Sequence, residues 1–404
     1  MESAMQQIPL NQRVAAIPES ATLAVSAKAK AMKRQGLDVV GFGVGEPDFD
    51  TPEHIKQAAV NALSAGNTKY TPASGTPELR NAIVEKLKND NQLDYDPSQI
   101  VVSNGAKHSL FNAVLALVRQ GDEVLIPSPY WVTYPEQVKL AGGVPVIVPT
   151  SADDGYRLRP DAIARHIHPG KTRLLILNSP SNPTGAVLTP QTLTEIGTLC
   201  LEAGVSVIAD EIYEKLVYND KQHLSILKQV PELQETSILI NGVSKAYAMT
   251  GWRIGYLAAP KHVAKAIGRL QGQATSGPSS ISQAASLAAL TGDQSCVAEM
   301  REQFDARRKL IMQRVADCPG LSAPEPDGAF YLFVSFADLI GKTLAGTTIN
   351  GSLDFCNVLL EQAHVAAVPG IAFGDDNGFR LSYATSTDNI NKGLDRIEKL
   401  LSNG

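Results

Sequence analysis

The chain has 404 residues, with 36 basic against 41 acidic side chains and a formal net charge of −5. That length exceeds the size at which one hydrophobic core stops growing, so two domains are expected. The near balance of charge, without a dense basic run, argues against a nucleic-acid surface or a polybasic membrane patch. No segment approaches the ~18 continuous apolar residues of a membrane span, and the N-terminal "MESAMQQIPLNQRV" has no apolar core of a signal peptide. Cys200, Cys296, Cys318 and Cys356 are scattered without a CxxC pair. That spacing argues against a disulfide framework or a zinc site, and a cytoplasmic location with no metal is expected.

In chain order, a helix is expected near Thr22 to Gln35, followed by the glycine-rich turn "GFGVGEPDFDTP". From about Asp96 to Pro260 the apolar, β-branched runs "QIVVSNG", "DEVLIPS", "VPVIVPT", "TRLLILNSP", "VSVIADE", "TSILING" and "RIGYLAAP" alternate with helical periodicity, as in Lys107 to Val118 and Leu188 to Ala203. Such a series implies an α/β fold with a mostly parallel sheet wrapped by helices. After Pro278 a long helical region gives way to short strands at "GAFYLFVSF", "VAAVPG" and "GFRLSYA" and a last helix near Asn389 to Leu401, the pattern of a smaller α+β domain. The segment "AGTTING" reads as an exposed loop insertion.

Five apolar runs end directly in polar residues: "SNGAKHS", "PSPYW", "NSPSNPTG", "ADEIYE" and "NGVSKAY". In open α/β sheets ligands bind beyond the carboxyl ends of the strands, so these tips should line one crevice. The glycine of "SNGAKHS" precedes a helix whose free N–H groups and dipole suit a phosphate, although an ordinary strand-to-helix turn reads the same way. No Walker loop or GxGxxG spacing is present. Asp210 closes a buried run and there needs a cationic partner, or else serves as an N-cap for a following helix. Tyr213 would lie one helical turn on. Lys245 is either a solvated loop lysine or an amine held in a pocket for covalent chemistry, and Arg253 supplies a cation suited to phosphate. Tyr130 and Trp131 offer a flat stacking surface. Arg380, among apolar neighbours, has the planar fork that takes a carboxylate bidentately.

The motifs "NSPSNPTG", "ADEIYE", "SKAYAMTGWRIGY" and "FRLSYATS", in this order, resemble the pyridoxal-phosphate aminotransferases of the aspartate aminotransferase superfamily, from about Pro18 to the C-terminus. The resemblance implies fold type I: a mostly parallel seven-stranded sheet with helices on both faces, plus the smaller α+β domain. It implies a division into 1–48 (N-terminal segment and part of the small domain), 49–280 (large cofactor domain) and 281–404 (small domain). Lys245 matches the lysine that binds the cofactor aldehyde covalently, and Asp210 the aspartate that keeps the pyridine nitrogen protonated. Asn182 and Tyr213 are similar to the pair that hydrogen-bonds the cofactor 3′-oxygen, and Trp131 to the stacking aromatic. Gly105, Ala106, Ser244 and Arg253 match the phosphate cradle. Tyr70 resembles the tyrosine that reaches a phosphate across a homodimer interface, and Arg380 the clamp for the substrate α-carboxylate, with Gly43 close by.

The implied reaction is a ping-pong transfer of an amino group from aspartate to 2-oxoglutarate. In one branch of the family an arginine from the partner subunit reads the distal carboxylate, but the corresponding stretch "QGQATSGPSSIS" has no basic residue. Lys107 resembles the lysine that does this in the branch of many bacteria and plant plastids. Some members of that branch also transaminate prephenate, and in those the lysine is accompanied by a threonine in a Pro-x-x-Thr context near the N-terminus. Here Pro18 and Thr22 are one residue further apart. Still open on sequence alone are an aromatic or alanine aminotransferase, a C–S lyase of the same fold, and a cofactor-binding regulator. The last carries an extra N-terminal DNA-binding domain in the family, whereas about twenty residues precede the likeness here.

Overall fold

The computed structural model describes residues 8–18 and 21–402, with the side chains of 21–23 left outside the description. A short strand, β1 (Val40–Gly41), precedes the strands of the central sheet. These are β2 (Ile100–Ser103), β3 (Glu123–Ser128), β4 (Val144–Pro149), β5 (Thr172–Asn178), β6 (Ser206–Asp210), β7 (Ile238–Gly242) and β8 (Gly255–Ala258). They lie in the order β2-β8-β7-β6-β5-β3-β4. All neighbours are parallel except β8, which runs antiparallel to both β2 and β7.

The continuous apolar character of these strands follows from burial on both faces. On one face Val124, Ile126, Leu174 and Ile176 pack with Leu110 and Val114 of the helix Ala106–Leu117 and Ile267 of the helix Lys261–Ala274. On the other, Leu125, Leu175 and Val207 meet Leu87, Ile196 and Ala285 from the helices Pro77–Asn91, Pro190–Ala203 and Ser280–Thr291. The helix expected from Leu188 begins at Pro190, because the Thr189 hydroxyl accepts the Thr192 N–H at 3.2 Å and caps it there.

A second core gathers Phe42, Phe304, Phe330, Phe355, Phe379 and Leu394. It packs the helices Ser295–Ala316, Ser352–Gln362 and Thr387–Ser402 against an antiparallel sheet. That sheet has the order β13 (Val368–Pro369), β14 (Gly378–Ser382), β9 (Tyr331–Ser335). β1 joins this unit by pairing in parallel with β12 (Val365–Ala366).

Two local expectations change. The "AGTTING" stretch is not a plain loop: β10 (Thr343–Leu344) and β11 (Thr347–Thr348) form a hairpin. Its turn residues Ala345 and Gly346 both take positive φ, 46° and 84°, the twist that a two-residue hairpin turn requires. After Asp210 no regular helix begins; residues 212–215 form turns. Asp210 Oδ1 lies 3.4 Å from the Ile212 N–H, a turn contact in place of a helix cap. Among the described residues no helix is long and apolar enough to cross a membrane.

Candidate active site

The carboxyl ends of β2, β3, β5, β6 and β7 open on one cleft of about 990 Å³. Lys107, Trp131, Asn182, Asp210, Lys245 and Arg380 line it, so residues up to 273 positions apart in the chain (Lys107 and Arg380) meet at one place. Ala106, Tyr213, Ser244 and Arg253 share this lining.

The floor begins at Gly105, which caps the helix Ala106–Leu117 with φ +87° and no side-chain hydrogen bond. The first N–H groups of a helix have no intrahelical acceptor, so this end presents uncapped donors and a positive dipole end. A Cβ at Gly105 would lie 2.3 Å from Arg253 Nη2, and one at Gly255 would lie 2.1 Å from the Ala106 nitrogen. Both glycines therefore let Arg253 and the helix end approach closely. Arg253 itself takes φ 57°, a left-handed conformation costly for a residue with a side chain and characteristic of sites where geometry serves a ligand. Its Nη1 donates to the Thr250 carbonyl at 2.9 Å and its Nη2 to the Asn104 carbonyl at 3.3 Å. A phosphate fits this cradle of helix end, guanidinium and buried Ser244.

Asp210, 4% exposed, ends β6. Burial lifts its carboxyl to about 6, against the Tyr134 hydroxyl and the Ile212 N–H, which pull it down. The Tyr134 hydroxyl donates to Oδ2 at 2.8 Å, and the Asn178 side chain donates to the Asp210 carbonyl at 2.9 Å. Lys245 Nζ donates to the Gly45 carbonyl at 2.6 Å. Burial, followed by the charge of Arg380, lowers its amine to about 8. A protonated pyridine nitrogen supplies the cation that the Asp210 carboxylate needs, and the amine is suited to an aldehyde. The residues present thus fit pyridoxal phosphate.

Arg380, 3% exposed, projects from β14. It donates to Asn182 Oδ1 and to the Gly43 carbonyl, each at 2.9 Å, and stands 4.4 Å from the Tyr331 ring centre. Its Nε has no partner among the described residues, and burial lowers its pKa. A buried guanidinium bonded, among the described residues, only to neutral oxygens is poised for a carboxylate. Lys107 Nζ lies 4.7 Å over the Trp131 ring, and burial followed by the charge of Arg253 lowers its pKa.

Of the other expected residues, Tyr213 faces the cleft without a helix to carry it, and its hydroxyl shares a 2.8 Å hydrogen bond with that of Tyr331. Tyr70 is 96% exposed and does not join the cleft lining of its own chain. Thr22 opens the helix Ala21–Arg34, and its side chain lies outside the described residues. Sequence reasoning missed Tyr134, Tyr331 and Asn178. Asn178 stood in the quoted "NSPSNPTG" and was findable as the polar end of a buried strand, whereas the two tyrosines carry no signal beyond ordinary aromatic packing.

A family model described as aminotransferase class I and II matches residues 37–397. The chain is 46% identical to an aspartate aminotransferase of Geobacillus stearothermophilus, covering 97% of this chain and 98% of that one. It is 44% identical to an aspartate/prephenate aminotransferase of Nitrosomonas europaea, covering 97% and 100%. A solved aspartate aminotransferase from Thermus thermophilus with maleate superposes with a TM-score of 0.92 at 42% identity, covering 98% of this chain and all of that one.

Proposed function

The chain belongs to the class I and II aminotransferases, and from that membership we propose that it transfers the amino group of L-aspartate to 2-oxoglutarate, giving oxaloacetate and L-glutamate. The cofactor is pyridoxal 5′-phosphate. The observation that carries this reading is the set of charges in one cleft left uncompensated among the described residues: the Asp210 carboxylate without a cation hydrogen-bonded to it, and the Arg380 guanidinium bonded to neutral oxygens.

When bound, the cofactor supplies an aldehyde that holds the amino group and a ring that draws electrons from the reacting carbon. Asp210 holds a proton on the ring nitrogen by Coulomb attraction, and Tyr134 keeps that carboxylate oriented. Asn182 and Tyr213 are assigned to the cofactor 3′-oxygen, Trp131 to stacking on the ring. Gly105, Ala106, Ser244 and Arg253 hold the phosphate. Arg380 orients the amino acid by its α-carboxylate, beside Gly43. Lys245 Nζ accepts the α-carbon proton as general base and returns it as general acid, the role for which a lowered amine pKa is suited. A second 2-oxo acid reverses these steps and closes the ping-pong cycle. Lys107 reads the distal carboxylate from the cleft wall.

Residues 49–280 are taken as the large unit and 281–404, with part of 1–48, as the small one. The exposed Tyr70 supports a homodimer in which it serves the neighbouring subunit's phosphate. Prephenate is a second acceptor in this reading, supported by the naming of the Nitrosomonas europaea relative and by Ile17 and Pro18 lining the cleft that holds Lys107. A panel of amino donors and oxo acids, run with purified loaded protein, tests the proposal: aspartate with 2-oxoglutarate must be turned over faster than alanine or aromatic donors.

A further inference from the structure

Behind Asp210, on the side of the sheet away from the cleft, a second group of charges lies buried. Glu211 follows Asp210, the last residue of β6, and its N–H extends the ladder by donating to the Ile240 carbonyl at 2.9 Å, so the two side chains leave on opposite faces. His223 Nε2 lies 3.0 Å from Glu211 Oε2, with 7% and 4% of the two side chains exposed. The carboxylate oxygens of Glu211 and Glu214 and a ring nitrogen of His223 all fall within 4.8 Å of one another. Lys86, from the helix Pro77–Asn91, closes the group by ion-pairing with Glu214 and donating to Asn91 Oδ1 at 2.6 Å, while Asn91 donates to Glu214 Oε2 at 2.6 Å. His223 Nδ1 has no partner among the described residues.

The charge count decides the state of the imidazole. Glu211 and Glu214 contribute two negative charges and Lys86 one positive, so the cluster is neutral only if His223 carries the fourth charge. Unpaired buried charge is strongly disfavoured, and the Lys86 ammonium is already paired with Glu214. We propose that His223 is an imidazolium that neutralises Glu211 directly behind Asp210, and so acts as a positioning residue that sets the field at the cofactor-facing carboxylate. This rests on the function proposed above.

The surrounding groups agree. Burial works against the His223 cation, but Glu211 and Glu214 outweigh it and raise its pKa. Burial likewise works against the Glu214 charge, yet Lys86 and His223 hold it down to about 2. Glu211 is among the groups that push Asp210 up. The other titratable groups facing the cluster are Asp90, 3.9 Å from Lys86 but paired with Lys215 at 2.7 Å so that the two add no net charge, and the buried phenols Tyr95, Tyr247 and Tyr256. Burial raises all three phenols, so they stay neutral.

With the imidazolium removed, the bare Glu211 charge favours protonated groups on the cleft side. In His223→Gln, the pH midpoint of the bound cofactor's visible absorption should therefore move up by roughly one unit. It should return to near the wild-type value in His223→Gln/Glu211→Gln, where the uncompensated charge is gone. Independently, ¹⁵N NMR of histidine-labelled loaded enzyme should show His223 doubly protonated at pH 7, with its midpoint falling in Glu211→Gln. A neutral His223 at pH 7 overturns the proposal. So does a His223→Gln enzyme whose absorption midpoint is unmoved while its Tm falls, since that marks a structural role only. If His223→Gln does not fold, the titration of wild type and Glu211→Gln decides. A protein that binds no cofactor would refute the function, and the same NMR titration on the unloaded protein would still test the histidine.

Discussion

Replacing Arg380 separates the structural from the functional value of a buried cation. Its guanidinium is 3% exposed and its hydrogen-bond acceptors among the described residues are Asn182 Oδ1 and the Gly43 carbonyl. Arg380→Met removes two donated bonds, leaving two acceptors that cost about 1–3 kcal/mol each. It also removes a buried charge with no carboxylate partner, whose desolvation penalty is of the same order or larger. Stability by urea unfolding should therefore stay within about 1.5 kcal/mol of wild type. Activity should not, because a bidentate charge-assisted pair with the substrate α-carboxylate is worth about 3–5 kcal/mol. That corresponds to a fall of about 10²–10⁴-fold in kcat/KM. Since every amino acid carries the α-carboxylate, aspartate, glutamate and alanine should lose alike. Steady-state rates on the three donors, beside the unfolding curve, make the test. A loss confined to acidic donors would move Arg380 to the distal carboxylate, and a loss below tenfold would remove it from substrate binding.

Lys245→Ala should abolish borohydride trapping of the cofactor on the chain and lower turnover by at least about 10²–10⁴-fold, with wild-type turnover refuting the assignment. Because burial holds the Lys245 amine near 8 and only the neutral amine attacks an aldehyde, cofactor capture by the unloaded protein should speed up as pH rises through about 8; a midpoint near the ordinary 10.5 would contradict it. Lys107→Ala should reduce kcat/KM for aspartate by about 10–100-fold and leave alanine little changed, the value of one charge-assisted contact to the distal carboxylate. For prephenate with glutamate or aspartate as donor, wild type should form arogenate and Lys107→Ala and Thr22→Val should lose efficiency; no arogenate from wild type ends that reading. Light scattering should give a dimer, and Tyr70→Phe should weaken cofactor retention; a fully active monomer would refute the shared site.

Much of the site was legible in the chain because its chemistry stands at strand ends. A strand buried on both faces has to be apolar throughout, so the residue where it turns polar, as at Asp210 or after Gly242, marks the crevice before any coordinates exist. The four helices given bounds from the sequence begin and end within about two residues of those bounds. The direction of β8 was not, since a buried strand reads the same whether parallel or antiparallel. Nor was the turn after Asp210, where pairing of the Glu211 N–H with the Ile240 carbonyl prevails over local helical spacing. Tyr134 and Tyr331 look like packing residues until their hydroxyls are placed on Asp210 and Tyr213. Lys86 and Glu214 lie 128 positions apart, and nothing local ties them to each other or to His223. The sequence alone determined the fold class, the strand tips and the reactive residue types, because these follow from periodicity and from the cost of burying polar groups. Tertiary structure decided which charges meet and which stay uncompensated, because Coulomb energies depend on through-space distance and local burial, and neither is written in spacing along the chain.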